Sequence, residues 1–384
     1  MISSLLGLFS LYVHPFEKNA EKFFLWVTSY RDRQEIEKRL HALMQENLLV
    51  LTVWLEKRFK NYHYLTKKHR KELYSNAVLI ERDFEMHRAA NTVMGAEIQG
   101  ELTQLGLRFD HDDLEKIQYI KAIMMYLDPH SRFSYREGST FGKLLRDPAR
   151  EKLVGDCNQI VTLYAYIFSR RFDIRNLQIK LIPGHVCLHF KGIDIEATRG
   201  RFANYKDYDY IAPITELVST NILDISDPDE AVSKVPPDLF VKASQLAIAI
   251  SGKKEIVEHN LEVAYHNLGL AAVRSQDFER AVFYLEKCKN KKPLASAYHN
   301  ACVFFLKNKN FQKAHFYADK RGDPELKKAV YGREYNALAK TVKGAKTIAE
   351  AKRYQSTYRR MLDLAYKMGD QKIVANIQGI LDRM

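Results

Sequence analysis

Cys157, His185, Glu196 and Asp194 are the side chains in this sequence whose types and spacing could do covalent chemistry. Asp156 stands where it can cap a helix opened by Cys157. The sulfur would then lie beside first-turn amides that lack helical partners, at the positive end of the helix dipole. Such surroundings favour thiolate, the nucleophilic form of cysteine. The plainer reading is a small apolar cysteine buried under a sheet. If Lys191 and Gly192 form a two-residue hairpin turn, Phe190 faces Ile193, His189 faces Asp194, Cys187 faces Glu196 and His185 faces Thr198. That register gathers the polar side chains on one face and leaves Val186, Leu188, Phe190, Ile193, Ile195 and Ala197 on the other; a one-residue slip would mix the sets. His185 becomes the diagonal neighbour of Glu196, about 7–8 Å away at Cα, within reach of a long carboxylate. A carboxylate that holds a histidine orients a general base.

These residues need a helix and a sheet to carry them. Gly155-Asp156 precedes a strongly apolar run, residues 160–168, that ends in Ser169, Arg170 and Arg171, the pattern of a buried helix with a capped start and a basic end. Residues 178–182, 186–190 and 193–197, separated by Pro183-Gly184 and Lys191-Gly192, read as strands of a small antiparallel sheet. Upstream, apolar residues recur at three and four through residues 23–59 (Ile36, Leu40, Leu43, Leu48, Leu51, Leu55), again through 76–103, and over 114–126 up to Asp128-Pro129. The cluster Lys67, Lys68, His69, Arg70 and Lys71 reads as a solvated turn or helix face.

The last third repeats. Residues 264–290 align with 297–323 at a shift of 33 with nine identities in 27, including Ala-Tyr-His-Asn in both copies. A period of 33 or 34 means helix pairs, and Ala281 and Ala314 are small enough to let two helices approach. Residues 358–384 add helical periodicity with Gly369 in a turn, and 231–260, with Pro236-Pro237, read as a linker and an entry helix.

Two resemblances follow from these residues. Gly-Asp-Cys-Asn-Gln at 155–159, Gly-His-Val-Cys-Leu-His-Phe at 184–190 and Ile-Glu-Ala-Thr at 195–198 resemble the transglutaminase-like core superfamily, over about residues 110–215. The helix and aromatic turn at 117–135, with Phe133 and Tyr135, resemble the segment that precedes its cysteine. The resemblance implies a papain-like fold in which Cys157 is the nucleophile, His185 the base and Glu196 the orienting acid, with Asp194 as alternative acid. The family usually has Asp where Glu196 stands, one methylene shorter. The first repeat copy resembles the tetratricopeptide pattern at Tyr265, Leu268, Gly269, Ala272, Ala281, Leu285 and Pro293; the second departs from it at Ala301 and Cys302.

The expected architecture is therefore α+β: a helical N-terminal region (1–109), a transglutaminase-like core (110–230) and an α-helical repeat array (231–384). The expected activity is cysteine-dependent acyl transfer on a protein or peptide substrate, as protease, amidase, deamidase or crosslinking enzyme, with no cofactor. The alternative is a non-catalytic adaptor with a degenerate core. A metal site built from His185, Cys187 and His189 is a weaker reading, because alternate residues on a strand project in parallel and the usual ligand spacings are absent. Sixty Lys and Arg against 47 Asp and Glu give +13, and residues 231–384 hold 28 against 15. This excess suits an acidic protein partner on the repeats or a solvated surface. No recognised module or glycine-aromatic motif accompanies it, which disfavours nucleic acid. Four cysteines without CxxC spacing fit reduced thiols in the cytoplasm. The uncharged start, residues 1–16, mimics the apolar part of a secretion signal but lacks its basic flank and cleavage site, and no apolar run is long enough to span a membrane.

Overall fold

A computed structural model describes residues 11–27, 31–206, 210–224, 236–252 and 254–384; most of the signal-like start and part of the 231–260 linker lie outside them. Contacts divide the chain into two units, Met1–Leu261 and Glu262–Met384. Among the described residues no helix is long and apolar enough to cross a membrane.

In the first unit α1 (Pro15–Trp26) turns Phe16, Ala20, Phe23 and Phe24 inward. The periodic stretch that follows becomes α2 (Arg33–Leu55), which departs from helical geometry at Asn47, whose side chain accepts the N–H of Val50 at 3.0 Å. Past this bend every residue from Leu48 to Leu55 is buried. The basic cluster forms the first turn of α3 (Lys67–Ala90), with Lys67, Lys68 and Lys71 exposed. Arg70 departs from the expected solvated run. It is buried, donating to Glu17 at 2.8 Å and to the carbonyls of Leu65 and Leu11 at 2.9 Å each. Burial of a charge requires such a complete set of partners. The helical pattern at 76–103 is broken by the extended residue Asn91 into α3 and α4 (Gly95–Gln104). Helix α5 (Leu114–Tyr126) then buries Ile117, Ile120 and Ile123.

Two short strands, β1 (Phe133–Tyr135) and β2 (Leu153–Gly155), pair in parallel on either side of the one-turn helix α6 (Phe141–Leu144). β2 leads straight into α7 (Cys157–Ser169), which is buried from Gln159 to Ser169 and packs against α2 and the sheet. The sheet has β3 (Gln178–Ile182), β4 (His185–Phe190), β5 (Ile193–Glu196), β6 (Arg201–Ala203) and β7 (Ile211–Pro213) in the order β6-β5-β4-β3-β7, all neighbours antiparallel. Lys191 and Gly192 both have positive φ, 45° and 87°, as a two-residue primed turn demands. The register pairs Phe190 with Ile193 and His189 with Asp194. β5 ends at Glu196, so Thr198 is not the cross-strand partner of His185. The chain instead turns back there, with Arg199 N–H bonded to the Glu196 carbonyl and Gly200 at φ 60°. α8 (Glu216–Leu223) and α9 (Pro237–Ile250) complete this unit. Ala243, Leu246, Ala247 and Ile250 of α9 join the core that holds α7 and the sheet, so this stretch packs with the first unit instead of opening the repeats.

The division falls within α10 (Lys254–Arg274). Beyond it come α11 (Phe278–Leu285), α12 (Lys292–Lys307), α13 (Phe311–Arg321), α14 (Pro324–Val342), the short α15 (Ile348–Lys352), α16 (Gln355–Met368) and α17 (Gln371–Leu381). Equivalent residues of the two sequence copies do equivalent work. Asp277 caps α11 and Asn310 caps α13, each side chain accepting the N–H three residues on, at 3.2 and 3.1 Å. Ala281 and Ala314 are fully buried. Gly269 allows a close approach: a Cβ there would lie 2.4 Å from Leu285 Cγ.

Candidate active site

Cys157 is the first residue of α7, and of the four cysteines it alone is not buried. A reciprocal box fixes the helix start. The Asp156 carboxylate accepts the Gln159 N–H at 3.1 Å, and the Gln159 side-chain oxygen accepts the Asp156 N–H at 2.9 Å. Gln159 also donates to the Ser139 carbonyl at 2.6 Å. The cap uses the N–H of the third helical residue; those of Cys157 and Asn158 have no carbonyl one turn earlier in the helix to receive them.

His185, at the start of β4, is bonded through Nε2 to Glu196 Oε2 at 2.8 Å. The neighbouring Cys157 and the hydrogen bond to Glu196 favour the charged ring, and despite partial burial its pKa is raised to about 9. Glu196 is buried at the end of β5. Its Oε2 also accepts the Tyr205 hydroxyl at 2.6 Å, and its Oε1 accepts the N–H and hydroxyl of Thr198 at 3.2 and 2.5 Å. Burial works to raise its pKa, but the hydrogen bonds from His185, Thr198 and Tyr205 outweigh it and bring the carboxyl to about 2. It is a carboxylate at any ordinary pH.

Asp194, the alternative acid, points elsewhere. Its Oδ1 bonds His189 Nδ1 at 2.7 Å, and its Oδ2 accepts Lys180 Nζ at 2.8 Å and the Tyr205 N–H at 2.7 Å. His189 Nε2 accepts the Gly192 N–H at 3.0 Å, which leaves the ring proton on Nδ1 for Asp194. Both nitrogens of His189 are thus spent on the hairpin itself. Burial raises the pKa of Asp194, and the bonds from His189, Lys180 and Tyr205 more than reverse this. Cys187 lies between the two sets, fully buried, its thiol pushed up by burial and by the charges of Asp194 and Glu196. His185 and His189 therefore serve separate carboxylates, and among the described residues no group of three or more His, Cys, Asp or Glu converges as metal ligands.

Cys157 and His185 open onto a cleft of about 330 Å³. One wall is Leu181, Gly184 and Val186; α8 faces it with Ser219, Thr220 and Leu223. Asn158 donates to Asp224 at 3.0 Å beside the thiol. Sequence reasoning missed Tyr205, which touches both acids, through its hydroxyl on Glu196 and its N–H on Asp194. It follows the β6 edge, and only the return path of that loop reveals the contact. Lys180 was hidden for a similar reason, being the one charged residue in a strand otherwise legible as apolar. Comparison with models of known families, with curated proteins and with solved structures finds no match to this chain.

Proposed function

We propose that the first unit is a transglutaminase-like cysteine acyltransferase or hydrolase, acting on an amide or peptide carbonyl of a protein or peptide substrate. The observation that carries this reading is that Cys157, at the start of a buried helix, and His185, hydrogen-bonded to the buried Glu196, line one cleft. His185 takes the proton of the Cys157 thiol, and its raised pKa suits it to hold that proton at neutral pH. The thiolate attacks the carbonyl carbon, and the amides at the start of α7 stabilise the developing oxyanion. The carbon–nitrogen bond breaks as His185 returns the proton to the leaving amine. The thioester then passes to water, giving hydrolysis, or to a second amine, giving a crosslink. The helical second unit, read as tetratricopeptide-like repeats, recruits a protein partner. Four free cysteines suit a reducing compartment such as the cytoplasm.

The test is alkylation of Cys157 by iodoacetamide across pH, in the wild type and in His185→Ala. Rapid labelling well below the ordinary thiol range in the wild type, lost in the variant, supports the reading. Titration near about 8.5 in both proteins would sink it and leave the chain an adaptor with a degenerate core.

A further inference from the structure

Phe283 and Phe316 are 56% and 52% exposed, although the residues that follow them, Tyr284 and Tyr317, are buried. They occupy the same position in the two sequence copies, and each is followed four residues later by a lysine, Lys287 or Lys320. Both lysines lie over their rings, with Nζ 4.6 Å from the Phe283 centroid and 5.7 Å from that of Phe316. An ion pair of 2.7 Å between Glu279 and Lys313 joins α11 to α13. Glu279 is one turn from Phe283, and Lys313 is one turn from Phe316, so both phenylalanines lie on the side of their helices that this ion pair marks. Single exposed apolar residues are ordinary on a protein surface. A pair that recurs with its lysine at the period of the repeat is not scatter.

We propose that this Phe–Lys ladder is a docking surface for an acidic protein segment, with apolar side chains against Phe283 and Phe316 and carboxylates on Lys287 and Lys320. Charge identifies the partner. Residues 262–384 hold 24 Lys and Arg against 12 Asp and Glu, whereas residues 1–261 hold 36 against 35. A field of one sign accelerates association with an acidic partner, and exposed aromatics supply the contact energy. A second copy of the chain has no acidic excess in either unit to offer. A single-stranded nucleic acid stacks its bases on open ring faces, and here a lysine already lies over each ring. The inference is independent of the cysteine site.

Fluorescence anisotropy with the full chain tests it, using a short labelled peptide of Leu and Phe at helical spacing with Glu elsewhere, the same peptide with Gln for Glu, and oligothymidylate. The Glu peptide is expected to bind, the Gln peptide to bind about tenfold more weakly, and the double variant Phe283→Ser/Phe316→Ser to weaken Glu-peptide binding about tenfold or more. The variant should keep its thermal unfolding, since both side chains are exposed. Undiminished binding by that variant, absence of Glu-peptide binding to the wild type, or equal binding of oligothymidylate overturns the proposal. So does a self-association that the Phe substitutions abolish.

Discussion

The Glu196 carboxylate is held by two donors, Thr198 and Tyr205, while His185 occupies the remaining direction. Together with the neighbouring Cys157, the bond to Glu196 makes His185 a source of pH-dependent stability. The pKa of His185 rises from 6.5 to about 9, so the folded chain binds its proton more tightly than the unfolded chain does. The stabilisation from this proton is then fully present below about pH 6.5 and is lost as pH rises through about 9. Glu196 runs the other way: its contribution is present above about pH 4.5 and is lost as pH falls through about 2. The gap in urea midpoint between wild type and His185→Gln should therefore narrow from about pH 6 to about pH 9.5. A gap that stays constant over this window would show that the ring is not held charged in the fold.

At the scale of elements, the close approach of α10 and α11 at Gly269 and Leu285 explains why the second sequence copy can depart from the first. Where the first has Gly269 and Leu285, the second has Cys302 and Ala318, so the larger and smaller partners have changed places. Gly269→Ala should cost about 1–3 kcal/mol through overpacking against Leu285. Gly269→Ala/Leu285→Ala should recover part of that loss in urea denaturation; a double variant less stable than either single one would refute the exchange. The hairpin register was readable beforehand because polar and apolar residues alternate over 185–190 and again over 193–197 on either side of Lys191-Gly192, and the helix start because Asp156 stands as a cap before Cys157 and a long apolar run. β6 and β7 were not readable. Each has three residues at a sheet edge, too few for a period. Nor was the burial of Arg70, whose partner Glu17 lies 53 residues earlier, or the placement of α9, whose apolar residues would suit either neighbour. Local pattern shows which face is apolar, and only the assembled fold shows what covers it.

For the whole molecule, the uneven charge means that self-repulsion falls almost entirely on the second unit. Raising sodium chloride should screen it, so amide hydrogen exchange should slow in α12 to α14 while that of α7 stays unchanged. Equal slowing in both would show that salt acts on the chain generally. The distribution of cysteines has a practical side as well. With Cys187, Cys288 and Cys302 buried, a maleimide dye on the native chain marks one place only, the rim of the cleft. The wild-type sequence is thus already a single-site reporter, whose emission can register whatever enters that cleft without any cysteine first being engineered away.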